Sequence, residues 1–190
     1  MEVRVEGLCK SYHGLPVLKG VSFRLERGVT CLMAPSGAGK TTLLRILLGL
    51  ERPDSGSVSL PVGCRVSAVF QEDRLLEQLD GAGNLRFVLG SAYDEKRARA
   101  LLARLGLEIT AGKPVREYSG GMKRRLALAR ALLAPSDVLL LDEPMTGLDG
   151  ENRARALACV REAAEEKRVL LVTHEAADAE ALGAKVLRLE

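Results

Sequence analysis

The 190-residue sequence predicts an α/β fold with a mostly parallel sheet, a small antiparallel β edge near its start and an inserted helical lobe in its middle. Three observations lead there. Short apolar runs at about 3–8, 29–33, 65–70, 137–142, 168–173 and 185–189 alternate with helical stretches, the order that builds a parallel sheet. Val138-Leu139-Leu140-Leu141 is apolar without alternation, as a strand covered on both faces should be. Between about 72 and 118 no convincing central strand occurs, so this part reads as the lobe, and 1–71 with 119–190 as the α/β core.

Along the chain, Val17-Leu18 and Val21-Ser22-Phe23 suit short strands joined by turns, which is the basis for the antiparallel edge. Helices are expected near 39–49, 83–90, 94–105, 121–133, 151–166 and 175–182. Gly106 and Gly183 stand where a left-handed residue stops a helix. Pro53-Asp54-Ser55-Gly56 and Pro135-Ser136 read as turns. With no internal repeat and no linker, the chain reads as one domain, and its end soon after the last strand leaves little room for an appended regulatory domain.

Composition narrows the function classes. At 47% hydrophobic and 28% charged the chain is globular, and with 3% aromatics its core falls to Leu, Val and Ala. The net charge of +3 is dispersed and makes no case for nucleic acid. The densest basic cluster, Lys123-Arg124-Arg125, reads as a solvated helix face. Cys9, Cys31, Cys64 and Cys159 lack metal-ligand spacing, which argues against zinc, and as reduced core thiols they fit a cytosolic compartment. Met1-Glu2-Val3-Arg4-Val5 holds no apolar export segment and no run approaches spanning length, so work at a membrane would go through a partner.

The chemistry begins at Ala34-Pro35-Ser36-Gly37-Ala38-Gly39-Lys40-Thr41-Thr42, between a strand and a helix. Small residues let backbone amides converge on a polyphosphate, and Gly39 opens a helix whose first N–H groups are free. Lys40 can reach the outer phosphates, and Thr41 can put its hydroxyl on magnesium. Ala34 departs from the usual initial glycine, and its methyl fits if the backbone there has negative φ.

A second motif, Asp142-Glu143, ends the buried strand, at the edge where open α/β sheets bind ligands. Strand side chains alternate, so the two acids have different tasks. Asp142 suits magnesium. Glu143, followed by Pro144, can face the terminal phosphate and polarise water for in-line attack. Ser119-Gly120-Gly121 starts a helix and offers a second anion-binding surface, one that would close on a nucleotide held elsewhere.

Together these motifs resemble those of the ATP-binding cassette (ABC) ATPases, the nucleotide-binding subunits of ABC transporters, over nearly the whole chain. The resemblance implies a P-loop NTPase core of ABC ATPase type that binds ATP with Mg2+. It makes Ser119-Gly120-Gly121-Met122 the family signature, in which glutamine is commoner than Met122 and leucine commoner than the preceding Tyr118. It implies that Ser119 and Gly121 contact the terminal phosphate bound by a second protomer, in a head-to-tail dimer. Tyr12 matches the aromatic residue that stacks on adenine. Gln71 matches the glutamine that senses magnesium and attacking water, and His174 the switch histidine near the terminal phosphate. Asp149 matches the loop through which protomers communicate, and is placed to cap a helix near Glu151.

The resemblance further implies separate polytopic membrane subunits, a position peripheral to the inner face of the cell membrane, and possible service of an extracytoplasmic solute-binding protein. Leu75-Leu76 and Leu79 would suit contact with a membrane subunit, or pack the lobe. Phe70-Gln71-Glu72-Asp73-Arg74-Leu75-Leu76 is loosely similar to the importer branch for nitrate, sulfonate and taurine. Two rivals stand beside transport: a soluble ABC ATPase with a mechanical task, and a weakly hydrolysing regulatory subunit, against which Glu143 argues.

Overall fold

The apolar runs of the core pair side by side and in one direction. A computed structural model of the chain describes residues 2–35, 37–108 and 112–189. In chain order the strands are β1 (Val3–Tyr12), β2 (Leu15–Leu25), β3 (Gly28–Met33), β4 (Ser55–Ser59), β5 (Val66–Val69), β6 (Val138–Asp142), β7 (Arg168–Val172) and β8 (Lys185–Arg188). The helices are α1 (Lys40–Leu47), α2 (Gly81–Leu89), α3 (Glu95–Arg104), α4 (Gly120–Leu133), α5 (Gly150–Glu166) and α6 (Ala176–Ala181). Strands β5-β6-β7-β3-β8 form a parallel sheet in that order. All five therefore end at the same edge.

The antiparallel part is a separate sheet, ordered β2-β1-β4, rather than an edge of the parallel one. β2 runs unbroken through residues that read as two short strands, with its register against β1 slipping at bulges. β4 overlaps the Pro53-Asp54-Ser55-Gly56 stretch that reads as a turn, and Ser55-Gly56-Ser57-Val58-Ser59 has almost no apolar content. It is a strand because β1 supplies its ladder, with Val5 opposite Val58. Gly56 has φ +84°, and a Cβ there would lie 2.4 Å from the Gly7 carbonyl oxygen, so the pairing demands glycine.

β6 separates two cores. Leu139 and Leu141 pack with Leu85 of α2, Leu102 of α3 and Leu126 of α4, whereas Val138 and Leu140 face Leu43 and Leu44 of α1 and Leu8 and Leu18 of the antiparallel sheet. Apolar surface on both faces is why the strand shows no alternation. The helices end as expected at Gly106 (φ +63°) and Gly183 (φ +58°).

The basic cluster is not a solvated face. Arg124 and Arg125 are buried, at 7% and 9% exposure, because α4 lies between α2 and α3 and the sheet. Arg125 donates to the carbonyls of Gly121, Leu105 and Gly106 and, at 2.7 Å, to Asn152 Oδ1. It thus ties α4 to the end of α3 and the start of α5. Arg125→Met would strand these acceptors and is expected to cost roughly 2–4 kcal/mol. That corresponds to a fall in Tm of about 5–15 °C by differential scanning calorimetry.

Candidate functional site

Four adjacent strands of the parallel sheet deliver the predicted residues to one edge: Gln71 follows β5, Asp142 and Glu143 end β6, Thr173 and His174 follow β7, and the glycine loop follows β3. Tyr12, Gly37, Gly39, Lys40, Thr41, Thr42, Gln71, Asp142 and Glu143 line one cavity of about 370 Å³. His174 lines a neighbouring cavity that shares Glu143. Its Nδ1 lies 3.3 Å from Glu143 Oε1. Ser36 lies outside the described residues.

The loop's shape follows from its glycines. Gly37 and Gly39 both have φ +82°, the left-handed region that favours glycine, whereas Ala34 is not among the residues with positive φ, so its methyl is accommodated. Ala38 N donates to Pro35 O at 3.3 Å, closing the turn, and Gly39 caps α1. Lys40 Nζ donates to the carbonyls of Ala34 and Pro35, each at 3.0 Å, which holds the ammonium over the loop.

The acidic pair is split by backbone conformation. Asp142 is the last residue of β6 and is buried, at 4% exposure. Glu143 turns into the left-handed region at φ +49°, although its amide still donates to Val172 O at 2.9 Å. A non-glycine residue there, directly before Pro144, is strained by about 1–3 kcal/mol, and the turn points its carboxylate toward His174 and Thr146.

Burial pushes the Asp142 carboxyl above the ordinary carboxylate range, and the charge of Glu143 adds to this while Lys40 and Arg124 oppose it. A raised folded-state pKa means that the fold favours the protonated form. Stability is full below the ordinary carboxylate pKa and falls as pH rises through the folded value. Asp142→Asn is therefore expected to raise the Tm of the nucleotide-free chain at pH 7–8, with the gap from the parent narrowing toward pH 4. Each ~1 kcal/mol regained would raise Tm by about 2–4 °C.

The signature residues stand apart from this cavity. Ser119 caps α4 by accepting from Met122 N at 3.3 Å, and Asp149 caps α5 by accepting from Asn152 N at 2.9 Å. Neither they nor Gly120 and Gly121 line the cavity of Lys40. Gly121 lies against the loop before Asp149, where an added Cβ would be 3.5 Å from Gly147 O.

Residues that the sequence did not single out also bear on the site. The Tyr12 hydroxyl donates to Glu51 Oε1, which fixes a ring that is otherwise 39% exposed, and Lys10 Nζ lies 5.6 Å from the ring centroid. Arg124 holds the backbone of Gln71. Neither link has a local pattern, because the partners are distant in sequence. Leu75, Leu76 and Leu79 are half-buried, Leu75 against the core that α2 and α3 share, whereas Phe87 (71%) and Val88 (50%) of α2 are exposed. None of the described helices is long and apolar enough to cross a membrane.

The chain has relatives among known proteins. The family profile described as ABC transporter matches residues 18–146. The Nod factor export ATP-binding protein I of Ralstonia nicotianae is 42% identical over 195 residues, covering 94% of this chain and 61% of that protein. The aliphatic sulfonates import ATP-binding protein SsuB 2 of Streptomyces avermitilis is 40% identical over 191 residues, covering 99% of this chain and 76% of that protein. The cassette MJ0796, solved as a dimer in a post-hydrolysis state bound to ADP and Pi, superposes with a TM-score of 0.87 at 26% identity. That match covers 99% of this chain and 94% of the other.

Proposed function

Since this chain belongs to the ABC transporter family of ATP-binding cassettes, we propose that it is a transporter subunit that binds ATP with magnesium and hydrolyses it. On this reading, closure of two such cassettes moves separate polytopic membrane subunits. The observation that carries the reading is the convergence of the glycine loop, Gln71, Asp142 and Glu143 on one cavity from the ends of neighbouring strands.

In that cavity the loop amides and Lys40 would hold the phosphates, and Tyr12 would stack on the base. A buried carboxylate, a threonine hydroxyl and a glutamine amide suit magnesium, a hard cation that takes few protein oxygens and keeps its waters and the substrate phosphates. Magnesium would neutralise charge on the transferring phosphoryl group. Glu143 polarises the attacking water, Gln71 orients it, and His174 steadies both Glu143 and the terminal phosphate.

On this reading the site is half complete within one chain. Ser119, Gly120 and Gly121 stand at the start of α4, away from the cavity of Lys40, a placement that suits contact with the nucleotide of a second protomer packed head to tail. Asp149 follows the Gly147-Leu148 stretch that lies against Gly121, and would relay the state of one site to the other.

The relatives include both export and import proteins. Import is the direction we favour. It is supported by the Phe70–Leu76 segment and by the greater share of both chains covered in the sulfonate relative. The cassette would then sit on the inner face of the cell membrane and serve a solute-binding protein outside it. Purification of the tagged chain from native membranes should recover a polytopic subunit and, for an importer, a linked solute receptor. Recovery of a cassette dimer alone would instead support the soluble ATPase.

A further inference from the structure

The sheet ladder of β5 ends with Val69 opposite Leu141, two residues before Gln71. Beyond that point two arginines of α4 hold the backbone. Arg124 donates from Nη1 to Phe70 O at 2.7 Å and from Nη2 to Gln71 O at 2.6 Å. Arg130 donates from Nη1 to Arg74 O at 2.7 Å and from Nη2 to Asp73 O at 2.9 Å. Four carbonyls within five residues thus take their donors from one helix. Asp73 Oδ1 lies 3.1 Å from Arg124 Nη1 and balances its charge. The Arg74 guanidinium stacks 3.7 Å from the Phe70 ring centroid, and Arg74 itself has φ +47°.

We propose that Arg124 is a positioning residue for hydrolysis: its guanidinium fastens the Gln71 backbone to α4, so Gln71 and the Ser119-Gly120-Gly121 start of that helix move as one body. An arginine suits the task because its planar fork reaches two neighbouring carbonyls at once, whereas lysine offers one point charge. The side chain is buried, so the link is shielded from water and salt. Gln71 is exposed and lines the nucleotide cavity, so its amide goes where its anchored backbone sends it. A shift of α4 during cassette closure would then place or withdraw Gln71 without any contact between Arg124 and nucleotide.

The inference rests on the role given to Gln71 above, and a double-mutant cycle separates the two. MgATP turnover is measured for the parent, Arg124→Met, Gln71→Ala and the double variant, with Tm recorded for each. Gln71→Ala is expected to lower kcat at least 10-fold, and Arg124→Met by about 10-fold with KM for ATP within about twofold. In the Gln71→Ala background, Arg124→Met should cost less than about twofold more, because its effect passes through Gln71. If Arg124→Met does not fold, the same cycle is run with Arg124→Lys, which keeps the charge and loses the fork. Equal losses in both backgrounds, or a raised KM at unchanged kcat, overturn the proposal for Arg124 alone. Unchanged turnover in Gln71→Ala overturns the role of Gln71, and the proposal with it.

Discussion

Glu143→Gln is expected to lower MgATP turnover by about 10²–10⁴-fold, with ATP affinity and Tm close to those of the parent. The substitution keeps the shape of a side chain that is only 21% exposed and removes its charge. The left-handed backbone at φ +49° and the amide bond to Val172 O do not depend on that charge, so the turn persists. What disappears is the carboxylate that accepts a proton from water, while the loop and Lys40, which hold the phosphates, are untouched. Phosphate release read beside fluorescent-nucleotide binding checks both halves. Equal phosphate release from parent and variant would remove Glu143 from the reaction.

The second large effect is expected at Gly39, through binding rather than turnover. An added Cβ would lie 2.7 Å from Leu18 Cδ2, 2.8 Å from Val17 Cγ1 and 2.9 Å from the Val17 carbonyl oxygen. The φ of +82° costs an L-residue a further ~1–2 kcal/mol. With roughly 1–3 kcal/mol of overpacking, Gly39→Ala must move the loop away from β2 or distort the first turn of α1. Either change misaligns the amides meant for the phosphates, so ATP affinity is expected to fall at least 100-fold, or about 2.7 kcal/mol. Isothermal titration calorimetry reads this directly. The same substitution at Gly37 meets no atom within 4 Å and carries only the conformational cost, so its loss should be smaller.

What could be read in advance was what sequence proximity encodes. The strand-loop-helix of β3 and α1, and the acidic end of β6, are contiguous, and the parallel sheet that brings them together follows from the βα order. The caps at Ser119 and Asp149 are local and equally legible. β4 was not, because its strand character comes from the ladder that β1 provides rather than from its own residues. Nor was the burial of Arg124 and Arg125, since most of their acceptors are backbone carbonyls, which no residue type announces. A basic run in a helix looks solvated unless the helix is known to lie between two layers. Glu51 escaped notice for a related reason: its bond to the Tyr12 hydroxyl joins the segment after α1 to the end of β1, far away in sequence. The left-handed turn at Glu143 is the subtler case. Alternation along the strand said that the acids diverge, and the backbone achieves this by leaving the strand at the second of them.

On the proposed function, one chain carries half of a site that a second chain completes. The mass of the Glu143→Gln chain by sedimentation equilibrium, with and without saturating MgATP, tests it most directly. The account predicts a monomer without nucleotide and a dimer retaining two ATP molecules with it. A chain that binds ATP saturably and stays monomeric over the accessible concentrations would contradict it.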